Sequence, residues 1–141
     1  MDVVMVRYGE LFLKSEPVKR QFIRHLQRNI ARALESEGLA HRFEFHRGRI
    51  LIHGDDPLRI AAVTGTIFGI VEVAVCTFTE STLPAVSSTA VERAGSFLAG
   101  GGSFAIRARR QGVEGITSQE IGARVGEAVL EAFPGATVNL S

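Results

Sequence analysis

The order of the apolar segments in residues 3–79 constrains the fold of this chain more than any other feature. A β-branched run at 3–8 is followed by a helix pattern, two short strand patterns, a second helix pattern and an apolar run at 70–79. Elements in this order form the ferredoxin-like plan, a four-stranded sheet with two helices on one face. The sequence therefore predicts an α+β fold with a ferredoxin-like βαββαβ domain at residues 1–79.

The first helix pattern carries an excess of positive charge. Ser15-Glu16-Pro17 is typical of a helix start, and the pattern runs to about Glu37, before Gly38. At about 100° per residue, apolar side chains cover one side, and arginines spaced four residues apart cover the opposite side. The basic residues of this region are Lys14, Lys19, Arg20, Arg24, Arg28 and Arg32. The net charge of +1 therefore conceals a basic helix face.

Turn and cap signals predict the remaining elements of the first domain. Residues 42–46 and 49–53 have strand patterns and meet at Arg47-Gly48, which predicts a hairpin. Asp56-Pro57 supplies an N-cap residue followed by proline at the first helical position. A second helix should therefore begin there and fade near residues 66–69.

A second domain is predicted at residues 80–141. A helix should begin at Thr82-Leu83-Pro84 and end at the three glycines 100–102. A strand pattern from Thr137 to Leu140 stops where the chain stops. Because a strand needs paired neighbours to be stable, we expect this α/β domain to be incomplete and the chain to be a piece of a longer polypeptide.

A basic strand pattern followed by a helix start lies between those elements. Apolar and basic residues alternate from Phe104 to Arg109, which predicts a strand with one buried face and one basic face. Thr117-Ser118-Gln119-Glu120 has the spacing of a capping box, so a helix should begin at about Ser118 and run to Ala132. A helix N-terminus presents N–H groups that favour anions.

These features predict an RNA-binding surface, because RNA binding needs cations for phosphates and polar or stacking groups for unpaired bases. The candidate residues of the second domain are Arg107, Arg109, Arg110, Gln111 and Ser118. Those of the first domain are Lys14, Lys19, Arg20 and Arg24. The alternative interpretation is a solvated face with ordinary surface arginines. Gly122 and Gly126 are open to two interpretations, close approach of an RNA backbone or close packing of the helix on its sheet.

Other classes of site have little support in the sequence. The single cysteine, Cys76, excludes an intramolecular disulfide and a Cys-rich zinc site. His46 and His53 fall on neighbouring hairpin strands, but no carboxylate or cysteine is expected to join them, so no metal is predicted. There is no nucleophile-elbow motif for a hydrolase. Neither a membrane-spanning run nor a signal peptide is recognisable, so we expect a cytoplasmic protein.

Motifs in both domains resemble those of one protein family. In the first domain they are Arg7-Tyr8-Gly9-Glu10-Leu11, Leu13-Lys14-Ser15, Arg20-x-Phe22, Asn29-Ile30 and Phe68-Gly69-Ile70. In the second domain they are Phe104-x-Ile106-Arg107-x-Arg109-Arg110-x-Gly112, Ser118-x-x-Ile121-Gly122 and Val125-Gly126. The chain thereby resembles the ferredoxin-like and THUMP domains of the ThiI family, the tRNA 4-thiouridine sulfurtransferases.

The resemblance implies the N-terminal part of a larger enzyme. In that family these two domains hold the tRNA acceptor end, while a PP-loop domain uses ATP to adenylate a uridine and replaces its oxygen with sulfur. Gly100-Gly101-Gly102-Ser103 lacks the aspartate of a PP-loop, so the 141 residues alone should be inactive and need no cofactor. A sulfur-donor protein and a possible homodimer are implied for the full-length enzyme, and a role in thiamine synthesis is left open.

Two other functions remain as alternatives. The first is a THUMP-type RNA-binding module of another tRNA-modifying enzyme, such as a methyltransferase, a deaminase or an acetylation adaptor. The second is a ferredoxin-like protein-interaction or small-ligand domain, which predicts no salt-dependent affinity for RNA. The opening Arg7-Tyr8-Gly9-Glu10 favours the sulfurtransferase over both.

Overall fold

The computed structural model of the protein describes residues 2–9, 15–110 and 115–140. The chain forms two compact units, Met1–Phe78 and Thr79–Ser141, which are the first unit and the second unit below. None of the helices in the described ranges is long and apolar enough to cross a membrane. The fold of each unit follows from the packing within that unit.

The first unit is a four-stranded antiparallel sheet with two helices packed on one face. Its elements are β1 (Asp2–Tyr8), α1 (Glu16–Ser36), β2 (Arg42–His46), β3 (Arg49–His53), α2 (Pro57–Thr64) and β4 (Ile70–Thr77). The strand order is β2-β3-β1-β4, so β1 is paired along both edges. The predicted ferredoxin-like plan is confirmed, and β4 ends two residues earlier than predicted.

The predicted caps begin both helices of this unit. The Ser15 hydroxyl accepts a hydrogen bond from the Val18 backbone N–H at 3.4 Å, and the Asp56 carboxylate accepts one from Arg59 N–H at 3.2 Å. Each bond satisfies an N–H group that a helix leaves unpaired at its start. After α1, Gly38 has a φ of 69°, a conformation that glycine adopts without steric cost.

The core of the first unit lies between the sheet and the helices. Alternate positions of β1 and β3 are fully buried, because successive side chains of a strand point to opposite faces. The buried residues that meet there are Val4, Val6, Ile50 and Ile52 of the sheet with Leu26, Ile30 and Leu34 of α1. Burial of each such aliphatic side chain stabilises the fold by about 1.5–3 kcal/mol.

The second unit combines two helices with two short strands. Its elements are α3 (Leu83–Leu98), β5 (Gly102–Phe104), α4 (Ser118–Ala132) and β6 (Ala136–Val138). The strands are parallel, and α4 is the crossover between them. A buried cluster joins Ala94 and Leu98 of α3 to Val129 of α4 and Ala136 of β6. Both predicted helices are confirmed, including the start of α4 at Ser118.

The strand predicted from Phe104 to Arg109 is wrong in its extent. β5 ends at Phe104, and residues 105–110 form no strand. A strand continues only where a neighbour accepts its backbone hydrogen bonds, and the partner strand β6 ends at Val138. One further bond, from Asn139 N to Phe104 O at 2.8 Å, is formed beyond the end of β6.

Two other boundaries of the second unit differ slightly from the prediction. The glycines 100–102 were predicted to end α3, but Gly102 already belongs to β5, with a φ of 121°. The last strand begins at Ala136, one residue before the predicted Thr137, because the parallel register pairs Ala136 with Gly102. Strand pairing, which local sequence does not encode, sets both boundaries.

Candidate nucleic-acid interface

Three exposed arginines follow β5 in the second unit. Arg107, Arg109 and Arg110 are exposed, whereas Ile106 and Ala108 are half-buried. The alternation of exposure predicted from the sequence is thus present although the segment is not a strand. Residues 105–110 therefore present guanidinium groups to solvent and apolar groups to the interior of the unit.

The arginines lie at the edge of an apolar cleft of about 620 Å³, the arginine cleft. Helix α3 supplies one wall, residues from Ile116 to Val125 supply the other, and the segment 105–110 lies between them. The main apolar lining residues are Leu83, Val86, Ala90, Ile106, Ala108, Ile116, Ile121 and Val125. No pattern in the sequence indicates the α3 wall, because Leu83 and Val86 look like ordinary positions of an apolar helix face.

This combination of groups is suited to an unpaired nucleotide. Arginine guanidinium groups bind phosphate oxygens and stack on bases, and an apolar floor accepts the faces of a base. The cleft volume of about 620 Å³ is within the range of small-ligand sites. The second unit can therefore hold a backbone phosphate and a base side by side.

The start of α4 is less suited to a phosphate than the sequence indicates. The Thr117 hydroxyl accepts a hydrogen bond from Glu120 N at 3.1 Å and donates one to the Glu120 carboxylate at 3.2 Å. The predicted N-cap at Thr117 is confirmed, and the Glu120 carboxylate places a negative charge in the first turn. That charge already interacts with the helix dipole and repels an approaching phosphate.

Ser118 does not line the arginine cleft. It lines a second apolar cleft of about 630 Å³, formed by the other side of α4 with Phe104, Leu130 and Leu140. Ile106 and Ala108 line both clefts, so the segment 105–110 runs between them. A phosphate contact at Ser118 stays a prediction, and the geometry of the cap does not support it.

The glycine pair of α4 packs against the segment 105–110. A Cβ atom on Gly126 would lie 3.7 Å from the Ile106 side chain, and one on Gly122 would lie 3.7 Å from Ile106 O. Gly126 is buried. Of the two interpretations of this pair, the structure supports close packing inside the unit.

A row of arginines runs along the exposed side of α1 in the first unit. The basic row consists of Arg20, Arg24, Arg28 and Arg32, all exposed. Like charges four residues apart in a helix repel by about 0.2–0.5 kcal/mol per pair. Within the described ranges, none of the four forms an ion pair with an acidic side chain. The row therefore offers positive charge to an external anion.

The other candidate residues have different environments. Lys19 is partly buried, and its ammonium group lies 3.7 Å from the Glu16 carboxylate, which weakens it as a phosphate ligand. Arg20 and Arg24 share a shallow groove of about 520 Å³ with Gln21 and His25. Lys14 and Gln111 lie outside the described residues, and so do the family-like residues 10–13 and 112.

The histidine prediction requires a correction. Glu44 does join His46 and His53: one carboxylate oxygen is 2.9 Å from His46 Nε2 and the other is 3.9 Å from His53 Nε2. Glu44 and His46 are two residues apart on β2, and the antiparallel register of the hairpin brings His53 to the same face. The hydrogen bond from His46 holds the pKa of the Glu44 carboxyl below its usual value.

This cluster is small. His53 Nε2 is buried without a hydrogen-bond partner, and its ring stacks on Phe78 at 6.4 Å between centroids. Among the residues that the structure describes, no group of three or more His, Cys, Asp or Glu side chains is arranged to hold a metal ion. We therefore assign the cluster no part in the candidate interface.

Two family models match the chain in the order of the two units. The model of the ThiI ferredoxin-like domain matches residues 3–74, and that of the THUMP domain matches residues 81–141. The probable tRNA sulfurtransferase of Methanosarcina mazei is 37% identical over 129 residues, which cover 91% of this chain and 32% of that protein. The corresponding protein of Methanothermobacter thermautotrophicus is 33% identical over 144 residues, 99% of this chain and 36% of that protein.

Solved structures share the same architecture. The crystal structure of PH1313 from Pyrococcus horikoshii has a TM-score of 0.85 and 31% identity, and the match covers 100% of this chain and 48% of that one. A 4-thiouridine synthetase crystallised with RNA and bound ATP has a TM-score of 0.83 over 99% of this chain and 36% of its own. Its identity of 24% supports the fold alone. The chain spans about a third of the length of the curated relatives described above.

Proposed function

The chain belongs to the ThiI family, and we propose that it is the tRNA-binding portion of an ATP-dependent sulfurtransferase that makes 4-thiouridine. Its role is to hold the acceptor end of the tRNA for chemistry on a PP-loop domain of a longer protein. The match to the ThiI ferredoxin-like domain favours this function over other THUMP-containing enzymes. The related tRNA sulfurtransferases, about three times as long, support the same assignment.

The observation that carries the proposal is the placement of Arg107, Arg109 and Arg110 at the edge of an apolar cleft in the THUMP unit. An acceptor end combines closely spaced phosphates with unpaired bases. Arginines at the edge bind the phosphates, and Ile106 and Ala108 of the floor contact a base. The alternative, a solvated surface with ordinary arginines, does not account for the apolar cleft beside them.

The basic row of α1 gives the first unit a positively charged surface of its own for the tRNA. Arg20, Arg24 and Arg28 also line a groove along the helix, where one phosphate can meet more than one guanidinium group. Contacts of this kind carry no sequence information, since phosphates are the same in every RNA. They add affinity that weakens as salt concentration rises.

The remaining parts of the reaction belong to the longer protein. ATP, the sulfur-donor protein and a homodimeric state are implied by the family and belong to this proposal. The residues of this chain bind and orient the substrate. In this proposal they neither activate the uridine nor transfer sulfur.

A direct titration with tRNA tests the proposal. The variant Arg107→Ala/Arg109→Ala/Arg110→Ala should bind tRNA about tenfold or more weakly, because it loses three phosphate-binding charges. A matched control removes three exposed arginines of the β2–β3 hairpin: Arg42→Ala/Arg47→Ala/Arg49→Ala. Circular dichroism should show both variants to be folded. Equal loss of affinity in the two variants, or no loss in the first, would refute the proposed surface.

A further inference from the structure

Phe68 lies at the turn between α2 and β4 and is 96% exposed. The turn itself is well fixed: Ile67 N donates to Thr64 O at 3.1 Å, and Ile70 N donates to Ile67 O at 3.3 Å. Ile67 and Ile70 both pack on the core of the first unit. The two isoleucines therefore anchor the turn from inside, and the turn presents the Phe68 ring to solvent.

Gly69 allows this turn to pack closely against α1. Its φ is 98°, and a Cβ atom at this position would lie 3.3 Å from Phe22 Cζ, so glycine is the residue that fits. Gly69 O also accepts a hydrogen bond from Gly9 N at 3.3 Å. The turn is thus attached both to the first turns of α1 and to the end of β1.

A β-bulge exposes a second apolar side chain three residues after Phe68 in the chain. Arg7 pairs with Glu72 and Tyr8 pairs with Ile70, so Val71 is the extra residue of β4. Bulges re-aim side chains at sheet ends, and Val71 is 67% exposed. Phe68 and Val71 form the Phe68 patch.

Two cations of the elements around this turn are paired with carboxylates. Lys19, on the same side of α1 as Phe22, lies 3.7 Å from the Glu16 carboxylate, whereas Arg20 and Arg24 lie on the opposite side of the helix. Glu72, which adjoins Val71 in sequence, is paired with Arg7 at 2.8 Å. Two apolar side chains are too few for a stable protein interface, which buries roughly 800 Å² on each partner. A single nucleobase, in contrast, needs one exposed aromatic ring on which to stack.

We propose that Phe68 is a stacking platform for an unpaired base of the bound RNA. The inference rests on the proposed function and adds a contact on the ferredoxin-like unit to the arginine cleft of the THUMP unit. Stacking on an aromatic ring tolerates any base, because every base has a π-face. Phe68 therefore selects single-stranded RNA over paired RNA, and it does not select a sequence.

A binding comparison with two RNA hairpins tests this selection. Both have the same stem, one has an unpaired 3′ tail, and the other ends blunt. Phe68→Ala should lower the affinity for the tailed hairpin about tenfold, as expected for one lost base–aromatic stack. The affinity for the blunt hairpin should not change. Phe97→Ala removes another exposed ring, 63% exposed, and should change neither affinity. Equal affinities of Phe68→Ala and the unaltered chain for the tailed hairpin would overturn the proposal.

A fluorescence readout separates stacking from a general loss of binding. The chain contains no tryptophan, so Phe68→Trp introduces a single fluorophore at the patch. Its emission should be quenched by the tailed hairpin and should not respond to the blunt one. If RNA binds but the tryptophan emission does not change, Phe68 is not the stacking platform, and the proposed function is unaffected. Failure of the unaltered chain to bind either RNA would instead refute the proposed function. Quenching by a PP-loop domain in the longer protein, and not by RNA, would reassign the patch to a protein contact.

Discussion

The two units of this protein differ in how completely their strands are paired. In the first unit, β1 has a partner on each side and its strands are five to eight residues long. In the second unit, β5 and β6 are three residues each and pair only with one another in the described sheet. The first unit thus has two inner strands, β3 and β1, each paired on both sides, whereas residues 105–110 of the second unit form no strand and line two apolar clefts.

This difference places the candidate interface in the less constrained unit. Residues 105–110 form no strand, so side-chain packing against α3 and α4 contributes to holding them in place. Segments with few backbone hydrogen bonds open more easily, and binding surfaces are often of this kind. The comparison predicts that core substitutions in the first unit mainly lower stability, whereas substitutions of the three exposed arginines in the second unit mainly lower RNA affinity.

The largest effect is expected from Ile30→Ala in the core of the first unit. Ile30 is fully buried between α1 and the sheet, so the change leaves a cavity and should lower the free energy of unfolding by about 2–5 kcal/mol. Tyr8, the one tyrosine of the chain, lies in β1 and reports this unfolding by fluorescence during a urea titration.

The control for Ile30→Ala is Leu58→Ala, which truncates a leucine of the same unit that is 73% exposed. A surface substitution of this kind should change the free energy of unfolding by less than about 0.5 kcal/mol. If the two variants lost similar stability, the first unit would not have the closed core described here.

A smaller effect is expected from Thr117→Ala in the second unit. The substitution removes the hydroxyl that accepts a hydrogen bond from Glu120 N, and losing such a cap costs about 1 kcal/mol. Faster hydrogen exchange of the amides in the first turn of α4 measures this loss. Thr117→Ser keeps the hydroxyl and should restore the protection. Unchanged exchange in Thr117→Ala would show that packing alone holds the start of α4.

The smallest effect is the pH dependence contributed by Glu44. Its pKa is lowered from 4.5 in the folded protein, mainly by the hydrogen bond from His46, so the unfolded chain binds a proton more readily. The contribution to stability is therefore present above 4.5 and is lost as pH falls through the lower folded value. Urea midpoints followed by Tyr8 fluorescence should show this loss, and Glu44→Gln should remove it. An identical pH profile in the variant would contradict the assigned hydrogen bond.

The sequence predicts the local features of both units well. Asp56 and Thr117 cap the helices that they were expected to cap, because a cap depends on residues within one turn. The alternation of exposure along residues 106–109 is also local, since it depends only on the order of apolar and basic residues. This order of residues brings the arginines of the candidate interface to the surface.

Features that depend on distant parts of the chain were missed or wrong. The end of β5 at Phe104 is set by the end of β6, more than 30 residues away in sequence. The contact between Glu44 and His53 follows from the hairpin register, and the arginine cleft needs α3 to pack beside α4. The exposure of Phe68 depends on how Gly69 rests on Phe22. No pattern within one segment encodes these arrangements.

The salt dependence of tRNA affinity tests the central claim most directly. For the unaltered chain, the logarithm of the association constant should fall linearly with the logarithm of salt concentration. Each phosphate neutralised should add about 0.7–0.9 to the magnitude of this slope. In Arg107→Ala/Arg109→Ala/Arg110→Ala the slope should be smaller by roughly two to three, whereas the hairpin control should keep it. A slope that is the same in all three proteins would show that the arginine cleft does not contact the tRNA.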